Sequence, residues 1–307
     1  MKDIVRAAEE IKKVIQGKDS IINSVMLAIL SGGHILLEDV PGVGKTTLAL
    51  AFSRVLGLDY KRVQFTPDVM PSDVTGFSMY NKKTDSFDFV AGAAICNLLL
   101  ADEINRTSPK TQAALLEVME EGRVTVDGVT RQVPKPFTVI ATQNPFGSSG
   151  TQRLPQSQMD RFLVKLSMGY PDKESEINIL KGRGIVNIEG VNAVLSREAL
   201  IKMQEVCAGV FVKDELYAFI TDIANTTRNS ELFDMGISPR GSIAILKLAK
   251  ASAFMDGRDY AVPEDILDVI KLCTAHRVEL SDRARAMKYT AEDAISEVMK
   301  TLKVPKG

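Results

Sequence analysis

Two patterns of apolar residues divide the chain. Up to about Pro171, short apolar runs bounded by glycine, proline and polar residues alternate with amphipathic stretches, which is typical of a parallel sheet with crossover helices. Beyond Pro171, apolar residues recur at helical spacing. The helices predicted there are 172–181, 197–208, 213–228, 239–256 and 263–277. The pattern therefore predicts an α/β core over residues 1–171 and a helical domain over residues 172–307.

The first part of the chain contains five predicted core strands and two predicted hairpins. The strands are 35–37, 62–65, 98–101, 137–142 and 162–167. One hairpin turns at Asp127-Gly128, a dipeptide that favours a two-residue turn. The other joins alternating aromatic segments within residues 77–89. Between strands, Ser108-Pro109 has the residue types of a helix start and Gly122 those of a helix end.

A glycine-rich segment, 39–47, lies between the strand at 35–37 and a predicted helix at 46–56. Glycines in such a turn let backbone N–H groups point at phosphate oxygens, and the following helix adds its positive dipole end. Lys45 can reach the β- and γ-phosphates, and the Thr46 hydroxyl can ligate magnesium. The generic motif has glycine at its first position, where this chain has Asp39. The predicted phosphate-binding residues are Pro41, Gly42, Val43, Gly44, Lys45, Thr46 and Thr47.

A second segment completes the expected chemistry. Four apolar residues, 98–101, end in Asp102-Glu103, which predicts a buried parallel strand with carboxylates at its carboxyl end, where ligands bind in such sheets. We expect Asp102 to hold Mg²⁺ and Glu103 to polarise the attacking water. Asn144 follows another predicted strand, so its amide should lie beside these carboxylates. The site is predicted to bind and hydrolyse ATP with Mg²⁺.

Two arginines are further candidates. Arg161 lies just before the last core strand, and Arg240 lies in the first turn of a predicted helix of the second domain. A guanidinium can form two hydrogen bonds with a phosphate and stabilise its developing charge. Most arginines at such positions are solvated or pair with acids, so neither would indicate a function alone.

Composition changes this interpretation little. A formal net charge of −1 gives no reason to expect nucleic acid as a partner. No apolar run reaches the ~18 residues of a membrane span. The odd number of cysteines, spread among apolar residues, favours free thiols in a reducing compartment. These features favour a cytoplasmic location.

Taken in order, the motifs resemble those of AAA+ ATPases, and within them the MoxR family. They are 14–17, 38–46, 101–106, 141–145, 158–162 and 238–240. The resemblance covers almost the whole chain and implies five parallel strands ordered 5-1-4-3-2 with a helical lid. In that family, aspartate at the first phosphate-loop position is tolerated.

The resemblance also implies roles for individual residues. Val14, Ile15 and Gly17 fall where such proteins contact adenine. Asn144 matches the sensor-one residue, Arg240 the sensor-two arginine of the lid, and Arg161 the finger presented to a neighbouring subunit's ATP. The alternatives for the finger are Arg106 and Arg153. The two hairpins match insertions that mark the clade containing magnesium chelatase subunits.

The function implied is an ATPase that assembles as a hexameric ring and remodels or activates a protein partner, one that can carry a von Willebrand factor A domain. Three alternatives remain: a chelatase-type motor that drives metal insertion, a nucleic-acid motor, and a nucleotide switch that does not hydrolyse ATP. The presence of both Asp102 and Glu103 disfavours the switch.

Overall fold

The structure is a computed structural model that describes residues 2–40, 42–144, 154–170, 173–181 and 188–305. The strands in these ranges are β1 Ile35–Glu38, β2 Tyr60–Gln64, β3 Gly76–Asn81, β4 Ser86–Ala91, β5 Leu98–Asp102, β6 Arg123–Val126, β7 Val129–Gln132, β8 Thr138–Gln143, β9 Val164–Leu166, β10 Phe233–Met235 and β11 Glu279–Leu280. The helices in these ranges are α1 Lys2–Lys12, α2 Asp19–Leu30, α3 Lys45–Val55, α4 Pro71–Thr75, α5 Pro109–Glu121, α6 Gln156–Met159, α7 Lys173–Leu180, α8 Arg197–Ala208, α9 Asp214–Asn229, α10 Pro239–Met255, α11 Pro263–Thr274, α12 Asp282–Ala286 and α13 Ala291–Lys300. Short 3₁₀ turns cover Ile104–Arg106 and Ile188–Gly190.

The main sheet has five parallel strands in the order β2-β5-β8-β1-β9. Numbered along the chain, this is the predicted order 5-1-4-3-2, read from the opposite side. Every residue of β5 and β8 is buried, because helices cover both faces of the sheet. Successive residues contribute to opposite faces: Leu98 and Leu100 belong to one hydrophobic cluster, and Leu99 to the other.

Both predicted hairpins are present. Strands β6 and β7 pair across Asp127 and Gly128, whose φ angles of 51° and 74° place both turn residues in the left-handed region. Strands β3 and β4 pair over their whole length. At the base of this second hairpin, Gly76 has a φ of 96°, and a Cβ atom there would lie 2.5 Å from the Val90 carbonyl oxygen. Only glycine fits at that position.

The second part of the chain is mainly helical, as predicted. Helix α8 has the predicted bounds, and α9, α10 and α11 lie within a few residues of theirs. The pattern did not predict α12, α13 or the small antiparallel pair of β10 and β11. Helix α12 and the two strands span five residues or fewer, too few for a clear periodicity. Helix α13 spans ten residues behind the Thr290 N-cap, so its absence from the prediction was an error rather than a lack of signal. The predicted domain boundary, between Pro171 and residue 172, lies outside the described residues.

The two ends of the main sheet are the reference frame for the site. The carboxyl edge is where the strands end, at Glu38, Asp102, Gln143 and Leu166, and the amino edge is where they begin. Helix α5 starts just beyond the carboxyl edge and runs back about 18 Å, so that its last turn lies at the amino edge. Within the described ranges, no helix has the length and apolar character needed to cross a membrane.

Candidate nucleotide site

The phosphate loop connects β1 to α3 at the carboxyl edge. Gly42 and Gly44 have φ angles of 88° and 94°, which amino acids with side chains rarely adopt. A Cβ atom at Gly42 would meet nothing within 4 Å, so the requirement there is conformational rather than steric. The Lys45 ammonium donates to the Asp39 carbonyl oxygen at 2.9 Å, which holds it over the loop. Pro41 lies outside the described residues.

Asp39, the departure from the generic motif, has a specific structural role. Its buried carboxylate accepts hydrogen bonds from the Ser167 hydroxyl at 2.8 Å and from the backbone N–H groups of Met168 and Gly169 at 2.6 and 3.0 Å. Glycine could make none of these bonds. Asp39 therefore fastens the phosphate loop to the segment that follows β9.

The predicted adenine contacts lie next to this segment. Val14 and Ile15 are buried, and Gly17 turns the chain with a φ of 68°. The following residue, Lys18, donates through its ammonium to the Tyr170 carbonyl oxygen at 2.9 Å. Since Tyr170 follows a residue bonded to Asp39, residues 14–17 lie on the phosphate-loop side of the core. Their role toward adenine remains a prediction.

Asp102 is held by two residues that the sequence did not single out. The Thr142 hydroxyl donates to one carboxylate oxygen at 2.6 Å, and the Arg62 guanidinium donates to the other at 2.8 Å. Thr142 is completely buried and belongs to β8, whereas Arg62 comes from β2 and is half-exposed. A buried threonine two residues before Asn144 was the only available signal, and the pairing of neighbouring strands was needed to interpret it.

Glu103 leaves the line of β5 through a left-handed backbone, with φ 58° and ψ 48°. Its N–H donates to the Thr142 hydroxyl at 2.9 Å, and its carboxylate pairs with the Arg106 guanidinium at 2.7 Å. Such a conformation costs on the order of 1 kcal/mol or more for a residue other than glycine, and such residues cluster at functional sites. Arg106, an alternative for the finger, therefore lies beside the Glu103 of its own chain.

Asn144 lies at the same edge, as predicted. It follows β8 directly, and its carbonyl oxygen accepts from the buried Asn105 amide at 3.4 Å. This bond joins the end of β8 to the turn that carries Glu103. The structure thus brings together Lys45, Asp102, Glu103 and Asn144 at one edge of the sheet.

The residues at the carboxyl edge fit a magnesium nucleotide. Gly42 and Gly44 form an open turn at the start of α3, an 11-residue helix whose first residues include Thr46 and Thr47. The Thr46 hydroxyl and the Asp102 carboxylate are the hard oxygen ligands that Mg²⁺ prefers. A metal ion bound to Asp102 would share that carboxylate with Arg62.

Arg161 and Arg240 lie elsewhere, at the amino edge. Both approach Glu120 in the last turn of α5: Arg240 at 2.8 Å and Arg161 at 3.5 Å. Arg161 also donates to the Leu116 carbonyl oxygen at 3.1 Å. The strands that separate this edge from the phosphate loop are about 10–20 Å long. Arg240, the expected sensor-two arginine, therefore lies at the opposite end of the strands from the phosphate loop of its own chain. The alternative Arg153 lies outside the described residues.

A buried ion pair fixes the lid at the amino edge. The Asp160 carboxylate accepts from Arg277 Nε at 2.7 Å and from the Ser238 hydroxyl at 2.9 Å, and Ser238 caps α10. Arg277, whose side chain is 3% exposed, also donates to the carbonyl oxygens of Phe162 and Leu163 at 2.7 and 3.0 Å. No local pattern indicated this contact, because it joins residues far apart in the chain.

Both histidines also lie at this edge, and both are structural. His34 bonds to the Met119 carbonyl oxygen at 2.9 Å and accepts from the Val139 N–H at 3.0 Å. His276 bonds to the Phe162 carbonyl oxygen at 2.9 Å. Burial lowers the pKa of His34 to about 4 and that of His276 to about 3. We expect both to be neutral at pH 7.

Comparisons with known proteins agree with this geometry. A family model described as "ATPase family associated with various cellular activities (AAA)" matches residues 34–164, and one described as "AAA lid domain" matches residues 225–298. The chain is 46% identical to the uncharacterized protein YeaC of Bacillus subtilis, over 98% of this chain and 94% of YeaC. It is 40% identical to the chaperone MoxR1 of Mycobacterium tuberculosis, over 98% of this chain and 82% of MoxR1.

The fold has a close structural counterpart. A crystal structure of an ATPase candidate from Cytophaga hutchinsonii superposes with a TM-score of 0.91 at 35% identity, over 99% of this chain and 96% of that one. The chain thus has the sheet order, the phosphate loop and the lid of an AAA+ ATPase, and it is similar in sequence to a MoxR protein over 98% of its length. The chain belongs to the MoxR family of AAA+ ATPases.

Proposed function

We propose that this protein hydrolyses ATP in a ring of identical subunits, a hexamer, and uses the cycle to remodel or activate a protein partner. The observation that carries the proposal is the carboxyl edge, where Lys45, Asp102, Glu103 and Asn144 lie at or beyond the ends of three neighbouring strands, β1, β5 and β8. Thr46 and Asp102 would hold Mg²⁺, which supplies charge neutralisation to the phosphates. Lys45 binds the phosphates.

Within one subunit the residues divide the work. The Thr142 hydroxyl bonds to both the Asp102 carboxylate and the Glu103 N–H, so it keeps the magnesium ligand and the general base in a fixed relation. Glu103 orients and polarises the attacking water, with Asn144 beside it. Arg106, three residues further along the same chain, donates to the Glu103 carboxylate and limits its orientation.

Ring assembly explains the position of the arginines. A single chain has its phosphate loop at one edge of the sheet and Arg161 and Arg240 at the other, so neither guanidinium can reach its own nucleotide. A neighbouring subunit placed with its phosphate loop against this amino edge would receive both. We therefore assign both Arg161 and Arg240 to the adjacent site.

The partner is proposed to be another polypeptide, one that can carry a von Willebrand factor A domain. The similarity to a protein named as a chaperone supports this class of function. The net charge of −1 gives no support to a nucleic-acid motor. The three cysteines are buried and unpaired, which suits the cytoplasm as the location.

Affinity capture tests the proposal most directly. A Glu103→Gln variant should bind ATP and Mg²⁺, assemble, and retain the partner because the cycle cannot advance. The captured protein is identified by mass spectrometry, with Lys45→Ala as the control that should retain neither ATP nor partner. A purified wild-type chain that binds ATP but shows no phosphate release at any protein concentration would contradict the ATPase assignment.

A further inference from the structure

The last turn of α5 presents one carboxylate to both arginines of the amino edge. Glu120 Oε1 accepts from Arg240 Nη2 at 2.8 Å, and Glu120 Oε2 lies 3.5 Å from Arg161 Nη1. The first contact is a hydrogen-bonded ion pair, and the second is long and mainly electrostatic. Among the described residues, Glu120 is therefore the one carboxylate that lies within ion-pair distance of both guanidiniums.

Three separate elements meet at Glu120. Arg161 belongs to the turn before β9, Arg240 to the first turn of α10 in the lid, and Glu120 to α5. The backbones of the first two are already fixed to each other through Asp160, which bonds to Ser238 and Arg277. Glu120 contacts both long side chains, and the Leu116 carbonyl oxygen one turn earlier in α5 also accepts from Arg161, at 3.1 Å.

The two arginines and Glu120 are partly exposed rather than buried. The side chains of Arg161, Arg240 and Glu120 are 29%, 48% and 41% exposed, so the group forms part of the surface. Two guanidiniums side by side repel each other, and a carboxylate between them offsets that repulsion. A guanidinium carries five N–H donors, so a bond to Glu120 leaves donors for a phosphate. The group as a whole keeps one positive charge.

We propose that Glu120 is a positioning residue that orients Arg161 and Arg240 together toward the phosphates of the adjacent subunit's ATP. The inference rests on the proposed function, because it assumes that these arginines act on a neighbour. It assigns Glu120 no contact with nucleotide. Its effect on turnover is exerted through the two arginines.

The chain offers a matched control for this residue. Glu121 is the next residue of α5, its side chain is 42% exposed, and it forms its own ion pair with Arg123 at 2.6 Å. Glu120→Gln and Glu121→Gln remove the same charge from the same helical turn. Only the first removes the carboxylate shared by Arg161 and Arg240.

The first test is the steady-state kinetics of ATP hydrolysis by the assembled protein. Glu120→Gln should lower kcat about tenfold and leave KM for ATP nearly unchanged, since its own phosphate loop is intact; losses of this size are typical when a supporting residue is removed. Glu121→Gln should keep the wild-type kcat. Equal losses in the two variants, or a higher kcat in Glu120→Gln, would overturn the proposal.

The second test asks whether Glu120 acts through the arginines. The double variant Glu120→Gln, Arg161→Ala should be no slower than Arg161→Ala alone, because groups that act as a unit are not additive. An additional tenfold loss in the double variant would mean that Glu120 acts by another route.

The failures of the two proposals are distinguishable. If Arg161→Ala and Arg240→Ala both keep full activity in assembled protein, the assignment of the arginines to a neighbour fails. If either arginine variant loses activity while Glu120→Gln matches Glu121→Gln, only the role of Glu120 is rejected. Thermal unfolding of each variant separates a loss of orientation from a loss of folding.

Discussion

The two edges of the main sheet carry functional residues of different origin. At the carboxyl edge, Lys45, Asp102 and Glu103 each belong to a short motif at or just beyond the end of a strand. At the amino edge, Arg161 and Arg240 come from two domains and meet on a carboxylate from a third element, Glu120. The groups of the proposed nucleotide site are therefore local in sequence, whereas the arginines that we assign to a neighbouring subunit are brought together only by the packing of distant elements.

The largest expected effect belongs to the carboxyl edge. Lys45→Ala should abolish ATP binding because the ammonium contacts phosphates, whereas Glu103→Gln should keep binding and lose turnover, since the carboxylate acts on water in the transition state. Equilibrium binding of labelled ATP and phosphate release measure the two effects separately. A folded Glu103→Gln protein that binds no nucleotide would show that the role assigned to Glu103 is wrong.

The next prediction tests whether Arg161 acts on the ATP of a neighbouring subunit. Arg161→Ala should bind ATP normally and hydrolyse it on the order of a thousandfold more slowly, as expected for an arginine supplied across an interface. Mixing it with Lys45→Ala subunits, which keep Arg161 but cannot bind ATP, should restore part of the activity.

Crosslinking must first show that the two variants assemble together. Given mixed rings, no recovery at any mixing ratio would remove Arg161 as a finger acting on a neighbour, and Arg106 or Arg153 would be tested next. The same mixture with Arg240→Ala in place of Arg161→Ala checks whether the lid arginine also acts on the adjacent site.

A third prediction concerns the contact of Asp160 with Arg277 and Ser238, which holds the lid against the core at the amino edge. Arg277→Met should lower the free energy of unfolding by about 3 kcal/mol or more, because it leaves the Asp160 carboxylate without its buried partner. The control is Arg285→Met. Arg285 is exposed and pairs with Asp282 at 3.0 Å and more distantly with Asp234 and Glu279, and its loss should change the free energy by less than about 1 kcal/mol because these pairs are solvent-exposed. Denaturant unfolding compares the two variants, and equal losses of stability would contradict the structural role of the Asp160–Arg277 pair.

At the carboxyl edge, Asp39 gives a smaller effect. Asp39→Asn replaces one carboxylate oxygen by an NH₂ group that faces backbone N–H donors, so stability should fall by about 2 kcal/mol. ATP affinity should fall with it, because the bonds to residues 167–169 hold the loop. The exposed Asp68→Asn is the control. Unchanged ATP affinity in Asp39→Asn would mean that the loop keeps its conformation without this fastening.

The last prediction is a dependence of stability on pH at the amino edge. Burial lowers the pKa of both His34 and His276 in the folded protein. Below about pH 6.5, the ordinary pKa of an imidazole, both histidines therefore bind protons in the unfolded chain but stay neutral in the folded chain. Stability should therefore fall as the pH drops from about 6.5 toward 4, by on the order of 1 kcal/mol per pH unit for each histidine.

The charged groups near these rings do not reverse the direction. Lys247 and Glu120 act on His34 with opposite signs, and Arg277 and Lys165 lower the pKa of His276 further. Denaturant unfolding at pH 6 and pH 5 measures the slope, which should be smaller in His34→Gln. A slope that does not change in this variant would show that His34 takes up a proton in the folded protein.

Much of the carboxyl edge could be predicted because its groups are local in sequence. A strand, a glycine turn and a helix start specify where Lys45 and Thr46 lie, and an apolar run that ends in two acids specifies Asp102 and Glu103. The partners of those groups could not be predicted in the same way. Arg62 and Thr142 reach Asp102 only because β2 and β8 lie on either side of β5.

The fold class, the alternation of strands and helices, both hairpins and the position of the phosphate loop could all be predicted from the sequence alone. These follow from hydrophobic periodicity, turn residues and backbone conformations that act over a few residues. Three features came only from the packed fold: Arg240 lies with Arg161 at the amino edge, Asp160 joins the lid to the core, and Glu120 contacts both arginines. Those contacts depend on which surfaces of distant helices pack together, and local sequence patterns do not encode that choice.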